Sequence, residues 1–335
     1  NLKNNKRIEF ELNTLLSNYQ QRLHDEFRYY EYALTDLQAL VNSSDNNLLS
    51  YDHFVKFSKA KNFTREFPNV TDFGIARFVT KKERVEFEDW MTDQLRQSYT
   101  IAPISDEADH YFAVQYINTR LNLSVLGFNF AFNPVIQEIA LNAALHNNFQ
   151  MTPPMFFDQS LALDEKGFLI FFPMYEESRF TPPDELNEKT LIGWSYARFL
   201  GKNLINALDL TQNELALTIR DVSNLDNQIF FQQDVTQRSE YHANTNLKFY
   251  NRHWVIELTA SKQFIDDMHL VDERSIQRTV FAGALLLAAL AFFLVTSLSR
   301  RRQVVRQSIK LDSILSSVNE AIISLDTEDC IISWN

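Results

Sequence analysis

Between Leu12 and Val41 apolar side chains recur at every third or fourth position: Leu12, Leu16, Tyr19, Leu23, Phe27, Tyr30, Leu34, Leu37 and Val41. This is the helical period, and it predicts one long amphipathic helix over residues 8–41 with no Pro or Gly to interrupt it. Such a length suits a stalk; the plainer alternative is one face of a core helix. The polar cluster "NSSDNN" ends it.

The pattern then changes. "DHFVKFSKAKNF" predicts a helix, "VTDFGIARFVT" a strand, and "TKKERVEFEDWM" a second helix with Thr80 and Glu83 spaced as a capping box. "YFAVQYI" and "SVLGFNFAF" predict strands, and Asn133-Pro134 opens a helix running to about His146. "MTPPMFF" breaks the pattern before the fully apolar strand "GFLIFFPMY". A second group follows: strand "LIGWSYARF", helix "GKNLINAL", then strands "ELALTIRDV", "NQIFFQQDV", "TNLKFYN" and "RHWVIELTA". Strands outnumber the helices between them, which argues for an α+β fold of two small antiparallel units over a parallel doubly wound sheet.

From Thr279 to Ser299 no residue is charged. At about 1.5 Å per residue that stretch makes a helix roughly 31 Å long, matching the hydrocarbon thickness of a bilayer. Arg300, Arg301, Arg302, Arg306 and Lys310 follow it, whereas the preceding "DDMHLVDER" mixes four acids with one arginine. Basic residues stay on the cytoplasmic side, so residues 1–278 are expected outside and residues 300–335 inside, in a cell inner membrane. Beyond the span, "VVRQSIKLDSILSSV" predicts a helical linker and "NEAIISLDTEDCIISWN" two strands joined by a polar turn. The chain opens on Asn1 and stops with that alternation still running, so it is expected to be part of a longer protein.

Composition narrows the picture. The chain has 335 residues, 45% apolar and 22% charged, with 28 Phe and only 6 Gly, which favours aromatic cores over glycine-rich phosphate loops. A net charge of -11 makes nucleic acid an improbable partner, though the arginine cluster suits membrane lipid. With Cys330 alone there is no intrachain disulfide and no cysteine-based metal site. The seven histidines are scattered without ligand spacing, so no metal site is expected. "GWSYA" around Ser195 lacks the second glycine of a nucleophile elbow, and no dinucleotide, Walker or EF-hand loop occurs. No catalytic residue and no cofactor are expected.

Residues about 50–220 resemble the CHASE domain, the extracytoplasmic sensor of plant cytokinin receptors and of many bacterial histidine kinases and cyclic-di-GMP enzymes. The stretches that carry the resemblance are "FGIARFVTKKERVEFEDWM" (with Arg84, Phe87 and Glu88), "YFAVQYI", "LGFNFAFNPVIQEIALNAALHNN", "MTPP" and "GFLIFFPMY". The tail "SILSSVNEAIISLDTEDCIISWN" resembles the first strands of a PAS domain. The resemblance implies a stalk helix (1–46), a membrane-distal PAS-like subdomain (47–185) and a proximal one (186–274). A transmembrane helix (279–299), a linker helix (300–317) and a truncated PAS start (318–335) complete the expected order. It also implies a homodimer through stalk and transmembrane helices.

Two departures bear on the ligand. The plant receptors hold the hormone's purine with an aspartate where Ile136 stands here, with Glu138 nearby, and Phe171 replaces a small polar residue. Asn129 and Ala113 likewise differ from the family's usual acid and proline. Without a buried carboxylate to match the purine N–H, cytokinin binding in the plant manner is not expected. The segments that wall the family's cavity supply Phe112, Val125, Phe130, Ile136, Phe171, Trp194 and Ala197 as candidate ligand contacts. The plainer alternative for each is core packing. The implied function is a receptor for an apolar or amphipathic small molecule or peptide, with a histidine kinase output. The alternatives are a diguanylate cyclase or phosphodiesterase output, or an ectodomain that binds a partner protein and no small ligand.

Overall fold

The computed structural model describes residues 2–44, 47–119, 125–157, 166–176, 190–206, 215–224, 227–270, 273–317, 323–328 and 330–334. The chain divides into two compact units, Leu2–His269 and Leu270–Asn335.

The first unit is built on helix α1 (Leu2–Asn42). Its apolar stripe is buried from Ile8 through Val41. The stripe packs against both sheets of the unit, so α1, expected as a stalk or as one face of a core helix, is a core spine along its length. Phe27 shows why: its ring lies 6.3 Å from Phe168 in one sheet and 4.3 Å from Phe249 and 5.7 Å from Trp254 in the other. A long helix gains most of its stability from such tertiary burial.

After α1 come α2 (Tyr51–Lys61) and α3 (Phe63–Glu66). The Ser50 hydroxyl caps α2 by accepting from the His53 amide. Strand β1 (Val70–Thr80) leads to α4 (Arg84–Leu95). The expected capping box is half formed: the Thr80 amide donates to Glu83 Oε2 at 3.3 Å, but the Thr80 hydroxyl caps no amide of the helix. Thr80 ends the strand and its hydroxyl donates to Glu83 Oε2 at 2.7 Å, closing a turn ahead of the helix. Glu88 instead accepts from the Ile101 amide at 2.9 Å and Arg84 lies over the Tyr111 ring, tying α4 to the segments around it.

Strand β2 (His110–Thr119) is followed by the stretch 125–132, expected as a strand. It pairs with β2 only briefly, because Gly127 adopts φ +79° and the Asn129 side chain accepts from the Phe112 and Ala131 amides. Those bonds turn the chain into a short 3-10 helix at Phe130–Phe132. Helix α5 (Pro134–His146) starts as expected, with Asn133 Oδ1 accepting from the Val135 and Ile136 amides and Pro134 in the first turn.

Strands β3 (Gln150–Met151), β4 (Gly167–Tyr175) and β5 (Leu191–Leu200) complete an antiparallel five-stranded sheet of order β2-β1-β5-β4-β3. This moves one expected boundary. β5 was assigned to the second subdomain (186–274), but it lies at the centre of the first sheet, paired with β1 through Gly74↔Tyr196 and with β4 through Phe171↔Tyr196. A strand apolar on both faces needs a neighbour on each side and cover above and below, and the middle of this sheet supplies both.

Helix α6 (Gly201–Asn206) leads to β6 (Leu215–Asp221), β7 (Gln228–Gln233), β8 (Arg238–Phe249) and β9 (Arg252–Ser261), a second antiparallel sheet of order β7-β6-β9-β8. "TNLKFYN" is the end of the longer β8. A short α7 (Lys262–Asp267), capped by Ser261, closes the unit. At the β8–β9 turn, Asn251 donates to the Met151 carbonyl (3.0 Å) and accepts from the Met151 amide (2.8 Å), fastening the second sheet to β3 of the first.

In the second unit, helix α8 (Glu273–Ser317) is continuous, so the expected span (279–299) and linker (300–317) are one element, about 68 Å long at the usual rise. Among the described residues it is the one helix long and apolar enough to cross a membrane. Strands β10 (Ile323–Leu325) and β11 (Ile331–Trp334) form an antiparallel pair; in the turn Asp326 Oδ1 accepts from the Glu328 and Cys330 amides.

Candidate functional site

Side chains alternate across a strand, so each strand of the five-stranded sheet sends one set of residues toward α1 and the other toward α5. The pairing Ala76↔Trp194, Gly74↔Tyr196 and Asp72↔Arg198 between β1 and β5 lays out three successive rows on the α5 side. β4 adds Phe171 beside Tyr196 and Leu169 beside Arg198, and β2 adds Val114 beside Ala76 and Phe112 beside Phe78.

The upper rows form an aromatic wall. Phe112 and Trp194 have ring centroids 4.4 Å apart, and His110 stacks on Phe112 at 5.5 Å. The indole N–H of Trp194 donates to the Ala140 carbonyl at 2.7 Å, and the Tyr175 hydroxyl donates to the Ala144 carbonyl, so two side chains of the sheet fix α5 above it. Phe130 stands edge-on to Tyr196 (5.0 Å) and to Phe171 (5.5 Å).

The structure therefore brings together Phe112, Phe130, Ile136, Phe171 and Trp194 in one buried cluster, with half-buried Val125 against it. Ala197 is separate. It follows Tyr196 by one residue, so it faces the opposite side and packs in the α1 core. Ile136 is buried in the cluster, while Glu138 points to solvent and supplies no carboxylate to the wall.

Sequence reasoning missed the polar end of this face. Asp72 is buried and ion-paired through Oδ2 with Arg198. Its other oxygen, Oδ1, has no hydrogen-bond partner, and neither has the buried Tyr196 hydroxyl. Burial pushes the Tyr196 phenol well above its usual pKa; Asp72 raises it further and Arg198 works against this. Arg198 also lies over the Phe157 ring, 5.8 Å from its centroid. The Tyr196 ring occupies the space over Gly74, where a Cβ would come within 2.7 Å of it and 2.5 Å of the Tyr116 carbonyl oxygen. The signal was in the sequence: an Asp and an Arg each interrupt an otherwise apolar strand, and such charges are rarely buried without a use.

A separate groove of about 270 Å³ opens at the other end of β1, lined by Leu48, Arg77, Phe78, Val79, Glu83, Glu86, Phe87 and Trp90. None of the seven expected contacts lines it. Arg77 donates to the Asn47 carbonyl at 3.0 Å, and burial holds its pKa below the usual value. Among the described residues no group of three or more His, Cys, Asp or Glu is placed to hold a metal ion.

The architecture built around this face is that of a known family: the CHASE domain matches residues 47–231, from the segment before α2 through most of β7. The chain belongs to the CHASE-domain family. No curated protein matches it in sequence. Among solved structures it is similar to the periplasmic sensory domain of the Campylobacter jejuni chemoreceptor Tlp1, at 11% identity and a TM-score of 0.47 over 78% of this chain and 95% of that one. It is also similar to the ligand-binding domain of the Campylobacter jejuni chemoreceptor Tlp3 in complex with L-valine, at 12% identity and a TM-score of 0.41 over 79% of this chain and 97% of that one.

Proposed function

We propose that this chain is the sensing part of a membrane-bound signal-transduction receptor, and that its α5-facing sheet surface receives a small ligand. The observation that carries this reading is the pair of buried, unpartnered polar atoms, Tyr196 OH and Asp72 Oδ1, at the end of a buried aromatic wall. Buried polar groups are normally hydrogen-bonded, and unmet ones mark a place where something else completes the bonding. CHASE-domain membership supports the same reading.

In this reading α8 crosses the membrane. Its large apolar side chains are more than half exposed, Phe281, Leu287 and Phe292 by more than two-thirds, which lipid would cover. The arginines at 300–302 support a cytoplasmic location for the residues that follow and an outside location for the first unit. Two copies pair through α1 and α8, and exposed Phe10 and Tyr32 on α1 suit such a contact. The pair β10–β11 begins a cytoplasmic PAS domain, and the output beyond it is a histidine kinase, or alternatively a cyclic-di-GMP enzyme. A ligand that binds two states of the first unit unequally shifts the helix pair between them.

Membrane-impermeant maleimide labelling in a bacterial host tests the topology. Cys330 is exposed in its unit and Val85 on α4 is 59% exposed. In intact cells the introduced thiol of Val85→Cys should react and Cys330 should not, until the membrane is permeabilised. Equal labelling of both thiols in intact cells would overturn the receptor reading.

A further inference from the structure

We propose that Asp72 and Tyr196 together recognise a protonated primary amine on the ligand, whose apolar remainder lies along Phe130 and Phe171. This rests on the reading of the chain as a ligand sensor and adds the chemical class of the ligand.

The molecule contains its own control. Each sheet holds an Asp–Arg pair with a buried carboxylate, the arginine side chain being 7% exposed at Arg252 and 15% at Arg198. In the four-stranded sheet, Asp221 Oδ2 accepts from Arg252 Nε at 2.7 Å, and Asp221 Oδ1 accepts from the Ser223 amide at 2.9 Å. Both carboxylate oxygens are used, as a purely structural pair requires. In the five-stranded sheet, Asp72 Oδ2 meets Arg198, but Oδ1 is buried with nothing to accept from. The nearest row of the same face places Tyr196 opposite Gly74, two residues from Asp72, and its hydroxyl is buried and unmatched as well. The two orphans stand in adjacent rows of one face, beside an Arg198 Nε that meets only Asp72, and next to a glycine that leaves room for the ring they form a site lacking one group.

The chemistry of that group follows from the two atoms. A carboxylate oxygen only accepts, and a phenol accepts or donates, so a group rich in donors satisfies both. An ammonium supplies three donors, two for these atoms and one to spare. Charge points the same way, because the free acceptor belongs to a carboxylate. A ligand carboxylate would meet the bare Asp72 Oδ1 and be repelled. Phe130, set perpendicular to both Tyr196 and Phe171, offers with Phe171 the apolar surface beside it.

The test uses the whole chain in lipid nanodiscs and thermal unfolding against three matched pools. These are metabolite-sized primary amines, the same amines N-acetylated, and the corresponding carboxylic acids. A specific ligand raises Tm by mass action. Stabilisation confined to the free-amine pool is expected, and Tyr196→Phe should keep the ligand-free Tm while weakening the best amine by about tenfold to hundredfold, the range of one charge-assisted hydrogen bond. Equal stabilisation by acetylated amines or acids would overturn the proposal. So would an amine whose affinity ignores Tyr196→Phe, or the absence of any amine that binds, which would assign the two atoms to a trapped water. Phe130→Ala separates this failure from that of the sensor reading. Ligands weakened by Phe130→Ala but not by Tyr196→Phe keep the sensing face and discard the amine. Ligands indifferent to both discard the two readings together.

Discussion

The two sheets of the first unit bury the same kind of ion pair and treat it differently. Around Asp221 and Arg252 every carboxylate oxygen is engaged, and Arg252 is 6% exposed in a sheet whose inner face meets α1. Around Asp72 and Arg198 one oxygen is left over, beside a tyrosine hydroxyl that is also left over. The first arrangement holds a fold together; the second holds a fold together incompletely. Buried charges cost several kcal/mol each to desolvate, so an unfinished pair persists where the missing partner serves a function.

The comparison can be broken in three places. The largest effect is expected from Phe27→Ala, because this ring touches both sheets. Removing it should destabilise the first unit by about 5 kcal/mol, in one cooperative urea transition. Two separate transitions would show that α1 does not join the sheets energetically.

Next come the two aspartates. Asp221→Ala should cost about 4 kcal/mol and Asp72→Ala about 3 kcal/mol, since the first strands the buried Arg252 and the Ser223 amide and the second the half-buried Arg198. Equal stabilities, or a larger loss at Asp72, would show that the unfinished pair is no weaker a structural element than the finished one.

The smallest effect at neutral pH, though not at high pH, concerns the tyrosines. Burial raises the pKa of Tyr99, Tyr116 and Tyr196 in and around the five-stranded sheet and pushes Tyr175 up to about 12, whereas the other sheet has Tyr250 at its β8–β9 turn raised and α1 has Tyr30. In the unfolded chain a tyrosine titrates near 10. Between about pH 10 and 12 the unfolded state loses protons that the folded state keeps, so stability is complete below pH 10 and falls as pH rises. Hydrogen exchange should show β1 and β2 opening first in that range, where the Tyr116 and Tyr99 hydroxyls donate to the Leu49 and Val114 carbonyls. Earlier opening of β6–β9 would contradict the assignment of the alkaline loss to the first sheet.

Local pattern was enough for most elements. The period of α1, the Asn133-Pro134 start of α5 and the apolar runs of β4 and β5 all express forces that act within a few residues. Where long-range pairing decided, the sequence was silent. The stretch 125–132 looked like a strand because its apolar residues alternate, but the Asn129 side chain diverts it by bonding the Phe112 amide of β2. β5 looked like the start of a second subdomain because it follows a long connection, yet it inserts between β1 and β4.

The candidate site was legible in the same partial way. Phe112, Phe130, Ile136, Phe171 and Trp194 do share a surface, and Ala197 does not, since one residue along a strand is enough to change faces. Asp72, Arg198 and Tyr196 were visible as odd letters in apolar strands, but nothing local said they would meet.

What the chain determined by itself is therefore the set of elements, the uncharged span of α8 with arginines at one end, and the aromatic character of the wall. Those depend on periodicity, length and residue type, which are properties of neighbours in sequence. Only the tertiary structure decided that α1 is a spine shared by two sheets, and that an aspartate on β1 and a tyrosine on β5 stand in adjacent rows without partners. Strand pairing brings together residues more than a hundred positions apart, and hydrogen-bond completion is a property of that assembled surface.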